Sequence, residues 1–239
     1  MIYTTIPDDV FNVILLKYLD KDDLHAIKDN MGSEKQNEYI VQEIISRNVY
    51  TLEQYSNMSE YNKRCVKRIQ INTPRSEVIL PKSLTHLTLE DTFNSPILPG
   101  YLPHNLTHLS FGEWFDIPLK QEILPPTLNS ITFGQWFNQP IEKGVLPNTL
   151  THITFGEGFD RSISKGVLPN KLTHLAFGHM FNQPLDNDIL PDTITHMTLG
   201  MYYGHIFKDE TLPRDLIHLT LYNTSSSLSL LRKITPSKL

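Results

Sequence analysis

The sequence predicts an α+β chain: a small helical unit at the N-terminus, then a solenoid whose coils each give one strand to a parallel β-sheet. Three observations predict it. Leu-Pro recurs at residues 80, 102, 124, 146, 168, 190 and 212, seven times at an unbroken spacing of 22. Each copy brings one template, as in LPHNLTHLSFGEWFDIPL from Leu102 and LPNTLTHITFGEGFDRSI from Leu146. A fixed period of this length marks coils that cannot bury an apolar face alone and must stack on their neighbours. The first 50 or so residues lack the template and instead place apolar residues at steps of three and four, the helical period.

In the N-terminal unit, assigned to residues 1–50, Ile6-Pro7-Asp8-Asp9 reads as a helix entry. Proline suits the first turn, and the two carboxylates lie at the positive end of the helix dipole. Val10, Phe11, Ile14, Leu15, Tyr18 and Leu19 supply the apolar stripe. A second helix is expected near Asp20–Asp23 with Leu24 and Ile27. Ser33 and Gln36 form a possible capping box for a third that carries Tyr39, Ile40, Ile44 and Ile45. Fifty residues bury little core by themselves, so a partner or the solenoid should complete this unit. Residues 51–79 read as a linker and capping coil, because Ile69 and Ile71 repeat the spacing of Leu87 and Leu89 at a distance of 18 instead of 22. Residues 80–233 hold the seven repeats, of which the last two are weaker, and 234–239 are a tail. The template is lost after Leu221, where a terminal coil would face solvent.

Within a coil, Thr85-His86-Leu87-Thr88-Leu89 alternates polar and apolar, as a strand with one buried face does. The inward ladders are then Leu87, Leu109, Ile131, Ile153, Leu175, Met197 and Leu219, and Leu89, Phe111, Phe133, Phe155, Phe177, Leu199 and Leu221. Glycine follows the strand at 112, 134, 156, 178 and 200, where a positive-φ turn is expected. An aromatic ladder comes next, at Phe93, Phe115, Phe137, Phe159 and Phe181. Beside it runs Asn94, Asp116, Asn138, Asp160 and Asn182, expected as buried groups that hydrogen-bond the neighbouring coil's backbone. Proline at 96, 118, 140 and 184 argues against a helix on the outer side.

Composition narrows the function. A net charge of -5 without basic runs gives no footprint for nucleic acid. One cysteine, Cys65, leaves no internal disulfide to build, which fits a reducing, intracellular and cytoplasmic setting, with the nucleus left open. The start, MIYTTIPDDVF, lacks the pattern of a secretory signal. No run approaches the roughly 20 apolar residues needed to span a bilayer, so no membrane partner is expected.

The repeat resembles the FNIP repeat, a 22-residue unit related to leucine-rich repeats; the resemblance covers roughly residues 80–221 and rests on Phe93-Asn94-Ser95-Pro96-Ile97, Phe115-Asp116-Ile117-Pro118-Leu119 and Phe137-Asn138-Gln139-Pro140-Ile141. The stretch Ile6-Pro7-Asp8-Asp9-Val10, with Ile14, Leu19, Asp20, Asp23 and Leu24, resembles the start of an F-box. Together they are similar to the F-box and FNIP repeat proteins of amoebae and of the giant DNA viruses that infect them. The fold so implied is an F-box-like helical domain followed by a leucine-rich-repeat-like solenoid. The implied function is that of a substrate-recognition subunit of a Skp/cullin/F-box ubiquitin ligase, acting in the host-cell cytoplasm if the chain is viral. Its partners would be a Skp-type adaptor and an unknown protein target, with Ile6, Pro7, Val10, Ile14, Leu15, Leu19 and Leu24 forming the docking face. The alternative is a ligase-independent scaffold in which the helices cap the solenoid.

The histidines at 86, 108, 152, 174, 196 and 218 share one template position. A straight row, interrupted by Ser130, does not converge on an ion, so we read it as a surface ladder and expect no metal or other cofactor. Ser, His and Asp residues mostly belong to ladders, with no nucleophile elbow and no phosphate loop, so no catalytic residue is assigned and no enzyme is expected. Specificity toward a target needs positions that differ from coil to coil. Those are Glu113, Gln135, Glu157, His179 and Met201, beside Trp114, Trp136 and Met180.

Overall fold

The computed structural model describes residues 49–58, 63–71, 80–186, 188–205, 207 and 211–222. Nine short strands follow one another: β1 (Val49–Thr51), β2 (Arg68–Ile71), β3 (His86–Leu89), β4 (His108–Ser110), β5 (Ser130–Thr132), β6 (His152–Thr154), β7 (His174–Ala176), β8 (His196–Leu199) and β9 (His218–Leu221). They form one sheet in sequence order, every neighbouring pair parallel. The period fixes the register, so that His86 pairs with His108, Leu87 with Leu109 and Thr88 with Ser110. The Ile69/Ile71 pair aligns with Leu87/Leu89, and β1 extends the sheet by a further coil, with Tyr50 opposite Ile69.

The α+β expectation is corrected. Among the described residues the fold is an all-parallel β-solenoid, and its one helix, α1, has five residues, Leu52–Ser56, with a capping box between Thr51 and Gln54. The helical unit expected over residues 1–50 lies outside the described residues except at its end, where Val49 and Tyr50 belong to a strand instead. The reason is visible in the coil. After its strand each coil closes through turns and extended backbone, and its polar groups pair with the neighbouring coil: Trp114 N donates to the Asp91 carbonyl at 3.0 Å and Asp116 N to Asn94 Oδ1 at 3.1 Å. A helix would pair those groups internally and leave the coils unlinked.

The core lies between the sheet and the outer turns. Both inward ladders are buried from Leu87 to Met197 and from Leu89 to Leu199, whereas Leu219 and Leu221 at the last coil are half-buried. A third ladder, Leu84, Leu106, Leu128, Leu150, Leu172 and Ile194, is wholly shielded from solvent. The phenylalanines form two interleaved stacks. Phe111, Phe133, Phe155 and Phe177 step at 5.0–5.7 Å between ring centres, and Phe93, Phe115, Phe137, Phe159 and Phe181 step at 6.0–6.1 Å. Each buried side chain of this size contributes roughly 1.5–3 kcal/mol, set against the chain entropy of closing its coil.

The strand-following glycines have a different purpose from the one expected. None of the five has positive φ; instead a Cβ on Gly112, Gly134, Gly156, Gly178 or Gly200 would sit 1.9–2.3 Å from the carbonyl oxygen one coil back. Glycine is required there because two backbones meet. The positive-φ position falls in the outer turn, at Gly100, Gly144 and Gly166, and also at Glu122 and Asp188.

Candidate functional site

Two rows face outward from this scaffold. On the sheet, alternation turns the 86-type and 88-type residues away from the core. His86 stacks on His108 with ring centres 4.1 Å apart and planes 5° apart, and beyond Ser130 the row resumes with His152–His174 at 4.2 Å, His174–His196 at 4.4 Å and His196–His218 at 4.7 Å. A threonine precedes every ring of the row except His218, which follows Ile217, and sets the ring's tautomer. Thr107 Oγ1 donates to the Thr85 carbonyl (3.0 Å) and lies 2.9 Å from His108 Nδ1; Thr173 repeats this toward Thr151 and His174. A hydroxyl that has spent its one proton meets Nδ1 as an acceptor, so the ring carries its hydrogen on Nδ1 and turns Nε2 to solvent.

Burial lowers the affinity of His86 for a proton, and neighbouring His108 and Arg68 lower it further. His108 follows the same pattern through burial and Arg68, His174 through burial and His152, and His196 through burial, His174 and His218. These four rings are therefore harder to protonate than a free imidazole. Near-parallel rings aim their Nε2 lone pairs side by side, and among the described residues no group of three or more His, Cys, Asp or Glu side chains could hold a metal ion.

The second row runs along the turn after each strand. Trp114 is 54% exposed and stacks at 6.2 Å on Trp136, itself 37% exposed; Gly158 takes the same template position in the next coil, against the Trp136 ring. Met180 follows at 45%. In the adjacent position Glu113 and Glu157 are half-buried, Gln135 and Met201 exposed, and the half-buried His179 ring sets Nδ1 against the Glu157 carboxylate, which also accepts the His179 backbone N–H. Sequence reasoning missed Tyr202, 62% exposed, although it continues the Trp114 position at the same period; Tyr222, also exposed, meets His179 edge-on. The docking-face residues Ile6, Pro7, Val10, Ile14, Leu15, Leu19 and Leu24 lie outside the described residues.

The Asn/Asp row supports this ridge from behind. Each side-chain oxygen accepts the N–H of its equivalent one coil on: Asn94 from Asp116 (3.1 Å), Asp116 from Asn138 (2.8 Å), Asn138 from Asp160 (3.0 Å), Asp160 from Asn182 (2.9 Å) and Asn182 from Gly204 (3.0 Å). The bonds are those expected, but the groups are half-buried or exposed and not fully buried, since the row lies at the solvent edge of the turn. Two rigid, repeating faces with exposed aromatic and methionine side chains are suited to protein interaction. Among the described residues no helix is long and apolar enough to cross a membrane.

Comparison with known proteins agrees with this geometry. The FNIP Repeat family matches at residues 72–114, 115–158 and 159–202. A solved structure, described as that of CroV588, "a novel circular LRR protein structure", superposes with a TM-score of 0.64 at 42% sequence identity, over 66% of this chain and 24% of that one. This chain therefore spans about a quarter of the length of that protein. None of the curated proteins matches.

Proposed function

The chain belongs to the FNIP repeat family, and from that premise we propose that its solenoid holds a protein target while the N-terminal segment docks a Skp-type adaptor, making it a substrate-recognition subunit of a cullin-type ubiquitin ligase. The observation that carries the target-binding half is the exposed, non-uniform ridge of Trp114, Trp136, Met180, Met201 and Tyr202 on an otherwise uniform ladder. Large apolar side chains left in water along one line are anchors for a partner surface. The adaptor half rests on the resemblance of Ile6-Pro7-Asp8-Asp9-Val10 and the Leu19 to Leu24 stretch to the start of an F-box. In this reading the chain performs no bond-making step; tethering raises the effective concentration of a target lysine near the loaded enzyme.

The second reading is a ligase-independent interaction scaffold, favoured by the fact that all of the described chain is solenoid. Calorimetric titration with a Skp-type adaptor separates the two. Binding lost in a Pro7→Ala/Leu19→Asp chain that keeps its circular dichroism spectrum supports the ligase subunit. A heatless titration with folded protein removes it and leaves the scaffold.

A further inference from the structure

Charge is segregated along the repeats in a way the ladder itself does not require. The six post-strand turns at residues 90–94, 112–116, 134–138, 156–160, 178–182 and 200–204 contain six carboxylates, Glu90, Asp91, Glu113, Asp116, Glu157 and Asp160, and no lysine or arginine. Among the described residues the lysines of the same repeats, Lys82, Lys120, Lys143, Lys165 and Lys171, lie outside these turns, and Arg161, one residue past its turn, is tied to the Asn138 carbonyl at 2.9 Å. The exposed tryptophans stand in these turns. Asp116 and Asp160 are committed to the neighbouring coil, each accepting a backbone N–H and a glutamine side-chain N–H on one oxygen. Glu113 makes no hydrogen bond or ion pair through its carboxylate among the described residues, Asp91 uses one oxygen for the Glu113 N–H at 3.3 Å, and Glu157 uses Oε2 for the His179 N–H and ring, which leaves its Oε1 to a ligand.

We propose that this ridge docks a basic, arginine-bearing protein segment, its cations lying on the indole faces of Trp114 and Trp136 between Asp91, Glu113 and Glu157, and its apolar continuation lying on Met180, Met201 and Tyr202. The proposal rests on the target-binding reading above and names the chemistry of the target. An indole face attracts a cation through its quadrupole, and a guanidinium can stack on that face while its edge N–H groups reach a carboxylate. Trp114 and Glu113 are adjacent in one turn, and the next coil repeats the pair as Trp136 and Gln135, with Glu157 one coil further. An extended segment running along the coils meets a cation site at successive turns, so weak contacts add through one chain. The absence of any ridge lysine or arginine removes the repulsion that would otherwise oppose it.

The chain's two tryptophans both lie on this ridge, so intrinsic tryptophan fluorescence reports the site alone. The full chain is titrated with an oligoarginine peptide, with oligoglutamate and a neutral glycine-serine peptide as controls. A saturable change with oligoarginine only is expected, weakened by salt as exposed ion pairs are. Glu113→Gln/Glu157→Gln, which keeps both reporters, should weaken binding about tenfold, or ~1.4 kcal/mol, while Asp188→Asn in an outer loop leaves it unchanged. No change in emission overturns the proposal, and so does an Asp188→Asn loss equal to that of the ridge pair, which would reduce the effect to net charge. If a target protein is later held by the solenoid with undiminished affinity when Trp114 and Trp136 are both changed to alanine, the target-binding reading stands and this one falls.

Discussion

Replacing Gly156 by alanine separates close approach of coils from backbone conformation as the reason for glycine. Its Cβ would stand 2.0 Å from the Gly134 carbonyl oxygen and 2.7 Å from Gln135 Cα, both backbone atoms that no side-chain rotation can move. Relief to an ordinary contact needs the coils to part by about 1.4 Å. That movement carries Gly158 N away from the Gln135 carbonyl, now at 2.7 Å, and Asp160 N from Asn138 Oδ1, now at 3.0 Å. Each bond contributes about 1 kcal/mol net, and the Phe133–Phe155 and Phe137–Phe159 stacks beside them loosen at about 0.5–1.5 kcal/mol apiece. The expected destabilisation is ~3–5 kcal/mol. Gly100→Ala supplies the contrast: at φ +79 with nothing within 4 Å of the new methyl, it should cost only ~1 kcal/mol from its left-handed backbone. Urea unfolding followed by circular dichroism measures both, with the slope checked because coils of a solenoid can open separately. A Gly100→Ala loss equal to or greater than that of Gly156→Ala would refute the close-approach argument.

Glu122 and Asp188 occupy the same left-handed position at φ 66 and 69, so Glu122→Gly should raise the melting temperature, by the equivalent of ~0.5–1 kcal/mol; an unchanged or lower value contradicts the strain argument. Asn138→Ala removes the acceptor of the Asp160 N–H and should cost about 1 kcal/mol, whereas Asn138→Asp, which keeps an oxygen where the row already alternates Asn and Asp, should stay within about 0.5 kcal/mol in the same urea assay. Because burial and neighbouring cations lower the proton affinity of His86, His108, His174 and His196 in the folded chain, the unfolded chain protonates first as pH falls. Stability is then full above the ordinary histidine value of about 6.5 and declines from there through the lowered folded values. His174→Gln should flatten that decline in melts across the range, and an equally steep decline in the variant would remove the row as its cause.

How far the structure could be read from the sequence depended on whether a residue's reason lay in its own strand or in the next coil. The alternation in Thr85–Leu89 was enough to orient both faces, so the inward Leu87 and Leu89 ladders and the outward histidine row were legible from period alone. The Asn/Asp row was legible as a backbone acceptor, but not its partial exposure, since depth depends on how far the turn projects. Gly156 misled because a turn glycine and a contact glycine look alike in sequence; only the carbonyl 2.0 Å from its missing Cβ tells them apart. Likewise β1 carries just Tyr50 as an inward residue, too short an alternation to register as a coil, and the Thr51/Gln54 capping box beside it passed unmarked. Of the candidate site, Trp114, Trp136 and Met180 stood out as departures from the template, while Tyr202 was hidden in a repeat whose other positions had drifted.

Continuity of both outward rows depends on unbroken coil register, and one distance tests it. Spin labels at Thr88 and Thr198, in a chain with Cys65 replaced, sit on the outward face of β3 and β8, five strand steps apart. At about 4.8 Å per step the labels should show one narrow population near 24 Å. A broad distribution, or a centre beyond about 35 Å, would mean that the coils do not stack in register, and the docking ridge would lose its foundation.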